Sequence, residues 1–325
     1  MALKKGKVKA KTKTSFLYGN WIKFFLILIA LVSFIYTFFP DSIHKWVVDL
    51  QPMMNERCLQ PFYKDIPPYL NKNSLRVESY PLCFDGFSLM YSDLSKTALW
   101  IAERLTPDHL RFLSDQPQNV EALSPDLLIQ PKISGKGQEN YYLWQLAPID
   151  NSSHSQNDRS SYKGDTLALI SAEKRLLLLN VEQAIRTVVE EQKVSVYMLT
   201  GPAFLAPVLK TMDNGSLIPT AVFKVVYIPK TGVIGAYYVP NDNALKSRIV
   251  SICYLEERLG MNLFPQLTEE EKRNTYKLPW RVEDIDPNHP MEYLYWDAES
   301  QCAEDVTEEK IMQSKIQFQK SSQFS

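Results

Sequence analysis

The sequence predicts an α+β fold preceded by one N-terminal transmembrane helix, and three observations carry that prediction. Nineteen consecutive residues, Trp21 to Phe39 (WIKFFLILIALVSFIYTFF), hold a single charge. Three runs between residues 194 and 241 are β-branched and aromatic and close on Gly or Pro, as strands do. Between them and the loop before them, residues 174 to 191 repeat their apolar side chains at helical spacing. The chain has 325 residues, of which 45% are hydrophobic and 22% charged, so it can bury a sizeable core and is neither disordered nor fibrous.

The apolar stretch is close to the roughly 20 residues that a helix needs to cross a bilayer. It ends in Tyr36, Phe38, Phe39 and Pro40, too bulky for a signal-peptidase site, which favours an uncleaved anchor. Seven lysines and no acid lie in the first 23 residues, so the leader (1–20) is expected to stay cytoplasmic and residues 40–325 to lie outside. In a bacterium this is the inner membrane with a periplasmic domain, the bilayer being the first partner. Beyond Lys23, 29 basic residues face 37 acidic ones. That balance argues against a sequence-independent grip on nucleic acid.

Residues 40–57 read as a stalk. From Leu82 to Leu94 alternation predicts one strand ending in a turn, and ALWIAERLTP (98–107) a second. Residues 107–140 and Asn151–Asp165 read as loops rich in turn formers and polar residues. In the helix, Leu177, Val181, Ala184, Ile185, Val188 and Val189 form the apolar side, with Glu182, Gln183, Arg186 and Glu190 on the other. AVFKVVYIP and VIGAYYVPN form a hairpin through Lys230, Thr231 and Gly232, and SRIVSICYLEERLG is a strand continuing into a short helix that stops near Gly260. Residues 271–325 lose pattern and read as a peripheral tail. The four cysteines, Cys58, Cys83, Cys253 and Cys302, allow three pairings.

The strings LCFDGFSLMYSDLSKTALWIAERLTP, QLAPIDN, VSVYMLTGPAF, AVFKVVYIPKTGVIGAYYVPN and RIVSICYLEERLGMNLFP, in that order over about residues 58 to 267, resemble the DNA/RNA non-specific endonucleases of the ββα-metal nuclease superfamily. The resemblance implies a ββα-metal nuclease-like domain (58–270) with a central antiparallel sheet and a Cys58–Cys83 disulfide. It also implies metal-assisted phosphodiester hydrolysis, in which a histidine makes the nucleophile and a divalent cation, held by an asparagine and a glutamate-bearing helix, stabilises the leaving oxygen.

Residue by residue, this chain departs from that pattern. The general-base position is Gln145, whose amide accepts no proton, and Tyr142, Leu143 and Trp144 replace the preceding Asp-Arg-Gly. The metal-ligand position is Lys174, eight residues before the retained Glu182, and an ammonium repels a cation. Lys96 is the candidate stand-in for a phosphate-binding arginine. His154 is the alternative base; His44, His109 and His289 are assigned to stalk, turn and tail. The Leu176–Leu179 run is read as core. No zinc spacing, P-loop, GxGxxG or GxSxG occurs.

The expectation is a membrane-anchored, catalytically silent nuclease relative, without cofactor, acting as a binding or scaffold module with an envelope protein partner. One alternative is a Mg²⁺-dependent nuclease using His154. Another is non-hydrolytic nucleic-acid binding.

Overall fold

A computed structural model describes residues 56–84, 86–115, 133–134, 140–148, 151, 167–211 and 217–321. The leader, the apolar stretch 21–39, nearly all of the stalk and His154 lie outside the described residues. Among the described residues no helix is long and apolar enough to cross a membrane.

The strands are β1 (Tyr69–Leu70), β2 (Ser79–Cys83), β3 (Phe87–Ser92), β4 (Thr97–Leu105), β5 (Ile133–Ser134), β6 (Asn140–Gln145), β7 (Leu167–Ser171), β8 (Val196–Ala203), β9 (Ala221–Ile228), β10 (Val233–Pro240), β11 (Arg248–Val250), β12 (Met261–Asn262), β13 (Asn274–Tyr276) and β14 (Tyr293–Trp296). The helices are α1 (Asn73–Val77), α2 (Pro107–Asp115), α3 (Ala172–Gln192), α4 (Ile252–Leu259), α5 (Glu269–Arg273) and α6 (Glu308–Lys320). Seven strands form one antiparallel sheet in the order β11-β10-β9-β8-β4-β3-β2, and β5-β6-β7 form a smaller one.

The large sheet is buried on both faces, which is why its central strands are apolar throughout instead of alternating. On one face Ile101, Met198, Val222 and Val226 meet the inner side of α3 (Leu178, Val181, Ile185, Val189). On the other, Trp100, Phe223, Val225 and Ala236 meet Ile252 and Leu255 of α4 and Phe318 of α6. The β9–β10 hairpin forms where expected, and its turn uses Gly232 at φ +71°.

Four expectations change. The 82–94 run is the end of β2 plus β3, because Gly86 at φ +88° turns the chain between them. The loop after Thr106 begins as α2, with Pro107 in its first turn and the Thr106 hydroxyl accepting from His109 N at 3.2 Å. The Leu176–Leu179 run is only half core: Leu178 is fully buried while Leu176 is 62% exposed, as a helix turning 100° per residue requires.

The largest change concerns residues 271–325, which are no peripheral tail. Asn55–Ser325 forms one compact unit. Leu278 and Phe318 are in the two cores, and Phe318 packs on Phe62 and Trp100. Sparse anchors separated by polar residues leave no periodic signal.

Disulfides join Cys58 to Cys83 and Cys253 to Cys302, the second tying α4 to the C-terminal segment.

Candidate functional site

Strand register builds the site. Thr200, Lys224 and Tyr237 are cross-strand neighbours in one row of β8, β9 and β10, in line with Ile101 of β4. Lys224 stands between Val222 and Val226 on the α3 face, and Glu103 lies two residues along β4 from Ile101. Lys224 is fully buried, and its Nζ lies 2.8 Å from Oε1 of Glu182, itself 3% exposed, on α3. Glu182 thus lies on the inner face of the helix. The expectation of a solvent-side glutamate fails because its counter-charge comes from a strand that sequence reads as apolar.

Asn151 ties the elements together. Its Nδ2 donates to Glu103 Oε1 at 3.2 Å, its Oδ1 accepts from Arg186 Nη1 at 3.4 Å, and its carbonyl accepts from His109 Nε2 at 2.9 Å. A carbonyl only accepts, so Nε2 carries the proton. His109 is therefore part of this network and not a turn residue. Arg186 follows Glu182 by one helical turn.

The cluster is electrostatically strained. Burial, with Glu182 adding to it, pushes the Glu103 carboxyl up to about 7 against the lowering pull of Lys224, Asn151 and Arg186. Among the described residues Glu103 Oε2, both Glu182 oxygens, Lys224 Nζ and Thr200 Oγ1 are buried without a hydrogen-bond partner. The Lys224–Glu182 contact is thus an ion pair by distance and not by hydrogen-bond direction.

The predicted site residues do not converge on this cluster as a set. Gln145 ends β6, opposite Leu167 of β7, and is half-buried beside the buried Trp144 and Leu146. Lys174 sits in the first turn of α3, 5% exposed, with Nζ donating to Leu245 O at 3.1 Å and 3.9 Å from Glu173. Two helical turns, about 12 Å of rise, separate it from Glu182, so the two have different neighbours. Lys96 is in the β3–β4 turn, its side chain 60% exposed and 3.9 Å from Asp93. Cys58 and Cys83 are bonded as the resemblance implied.

Glu103, His109, Asn151, Arg186 and Lys224 were missed by sequence reasoning. A lone charge inside AVFKVVYI and another inside ALWIAERL were the available signals, since a strand buried on both faces admits a charge only with a partner. Nothing in sequence pointed to His109.

A divalent cation would need hard oxygen ligands around an open position. The residues here do not fit one: Lys174 places an ammonium at the ligand position, and the Glu182 carboxylate already faces the Lys224 ammonium. Among the described residues no group of three or more His, Cys, Asp or Glu side chains is arranged to hold a metal ion.

No curated protein matches the chain. Residues 174–270, which carry Glu182, Lys224, β8 to β11 and α4, match the family model described as DNA/RNA non-specific endonuclease, the family that the sequence resembles.

Proposed function

We propose that the chain is a nuclease-like protein that no longer hydrolyses phosphodiesters and that its domain serves as a binding or scaffold module, held at the cell-envelope membrane by residues 21–39. The observation that carries the reading is the pairing of losses along one frame: Gln145 at the base position, and at the ligand position a buried Lys174 whose ammonium is already engaged by Leu245 O. An amide cannot generate a nucleophile, and an ammonium at the ligand position opposes cation capture. The fold survives this loss because stability resides in the two cores while chemistry resides in a few grafted side chains.

The test is a plasmid and RNA cleavage assay on the detergent-solubilised full chain with Mg²⁺ and Mn²⁺. No metal-dependent cleavage is expected. Turnover that requires metal and disappears in His154→Ala, with thermal unfolding unchanged, would overturn the reading in favour of the active alternative. The anchor is tested separately, by retention of the chain in membranes through alkaline carbonate extraction. Loss to the supernatant would refute the anchoring.

A further inference from the structure

A cleft of about 900 Å³ runs beside α3, between its outer side and the C-terminal segment 277–292. It is distinct from the buried cluster, since neither Glu182 nor Lys224 lines it. The far wall lies beyond the stretch that matches the nuclease family. Along α3 the lining extends from Glu173 to Gln192, about 28 Å of helix at the standard rise. Leu176 presents 62% of its surface there, and Trp280 and Met291 face it from the other wall.

That wall is built rather than loose. The Tyr237 hydroxyl donates to Pro279 O at 2.5 Å, the Tyr237 ring packs edge-on against Trp280 at 4.9 Å, and Asp284 Oδ2 accepts from the backbone N–H groups of Trp280 and Arg281 at 3.0 Å each. A preformed wall spares an occupant the cost of ordering it.

Two features identify the occupant. First, no residue of any strand lines the cleft, so no free sheet edge is offered there and an incoming backbone must satisfy its own hydrogen bonds, as a helix does. Second, the charges at the rim are unequal. Lys277 and Glu292 pair with each other at 2.9 Å, and Lys174 is buried on Leu245 O. Glu173, Asp284 and Asp286 then face Arg281, and the Asn288 N–H and the neighbouring His289 hold the Asp286 carboxyl below its ordinary value.

We infer that this cleft is the docking site of the scaffold, and that it takes an amphipathic helix of a partner protein bearing leucine-like side chains on one face and Lys or Arg beside them. The inference rests on the scaffold reading and deepens it. The helix lays its apolar face on Leu176, Trp280 and Met291 while its cations meet Glu173, Asp284 and Asp286.

The experiment uses the full chain in zwitterionic nanodiscs, with a photo-crosslinking benzoylphenylalanine in place of Leu176. A control chain carries it at Val208, which is 84% exposed and does not line the cleft. The probe is a synthetic peptide of about 18 residues, leucines on one helical face and lysines on the other, at about pH 8, where free imidazole is uncharged. A saturable adduct at position 176 is expected, roughly tenfold above position 208. It should be about tenfold above that of a Leu/Glu peptide and of a Ser/Lys peptide, one decade being a modest interface difference. Glu173→Lys should lower it several-fold. Equal adducts at 176 and 208, or a Leu/Glu peptide that performs as well, would overturn the inference. Nuclease activity accompanying a specific adduct would refute the inactive reading alone, whereas an absent adduct in an inactive chain would refute the docking alone.

Discussion

Two buried carboxylate–ammonium pairs lie in the same unit and differ in how completely they are satisfied. Glu256 and Lys272, 3.0 Å apart, are surrounded by partners: Glu256 accepts from Leu263 N at 2.8 Å and Ala303 N at 2.9 Å, and Lys272 donates to Asn262 Oδ1 at 2.9 Å. Burial raises the Glu256 carboxyl, and Lys272 with the two backbone donors opposes that rise. This pair braces the C-terminal segment against α4. Glu182 and Lys224 are equally buried but lack hydrogen-bonded surroundings, and Glu103 adds a second carboxyl beside them. Structural ion pairs are stabilising only when their remaining donors and acceptors are met. The contrast marks the first pair as a brace and the second as the remnant of a site whose polar groups were never arranged for stability alone.

Breaking the under-satisfied pair should cost most. Lys224→Met strands Glu182 and Glu103 together and is expected to lower unfolding free energy by about 3–5 kcal/mol, read by urea denaturation. Lys272→Met should cost less, about 3 kcal/mol, because Glu256 keeps two backbone donors. A Lys272→Met loss larger than that of Lys224→Met would invert the comparison.

Acidity sharpens the contrast. The folded Glu103 carboxyl, at about 7, holds its proton more tightly than the unfolded one at 4.5. Its contribution is therefore fully present below pH 4.5 and is lost as pH rises through 7. The swing is on the order of 3 kcal/mol. Glu103→Gln keeps an acceptor for Asn151 and should flatten the pH dependence of stability in that window. An unchanged slope would remove Glu103 as its source.

The smallest effect belongs to the surface. Lys96 sits at φ +55°, and its exposed 3.9 Å pair with Asp93 contributes little. Lys96→Gly should raise stability by about 0.5–1 kcal/mol, measured by thermal unfolding. A loss would mean that the lysine makes a contact worth more than its backbone strain.

Legibility in sequence followed periodicity. The β9–β10 hairpin, α3 and the stop at Gly260 were readable because each is a local pattern closed by a residue with a specific backbone preference. The break at Gly86 was hidden because Leu82–Cys83 and Phe87–Ser92 are apolar on both sides of one short turn. The C-terminal segment was misjudged because Leu278, Cys302 and Phe318 are single anchors spread over forty-one positions. At the site, Gln145 and Lys174 were legible as substitutions at matched positions. Lys224 and Glu103 were not, since a charge in an apolar strand declares neither its face nor its partner.

By itself the sequence determined the strand and helix inventory of the domain and the chemistry missing from it, because backbone preference and side-chain ionisation are properties of residues taken singly or in short runs. Only the tertiary structure decided that Glu182 faces Lys224, that Asn151 joins Glu103, Arg186 and His109, and that α3 and residues 277–292 enclose a cleft. Those relations depend on sheet order and register between segments tens of residues apart, and no local interaction encodes them.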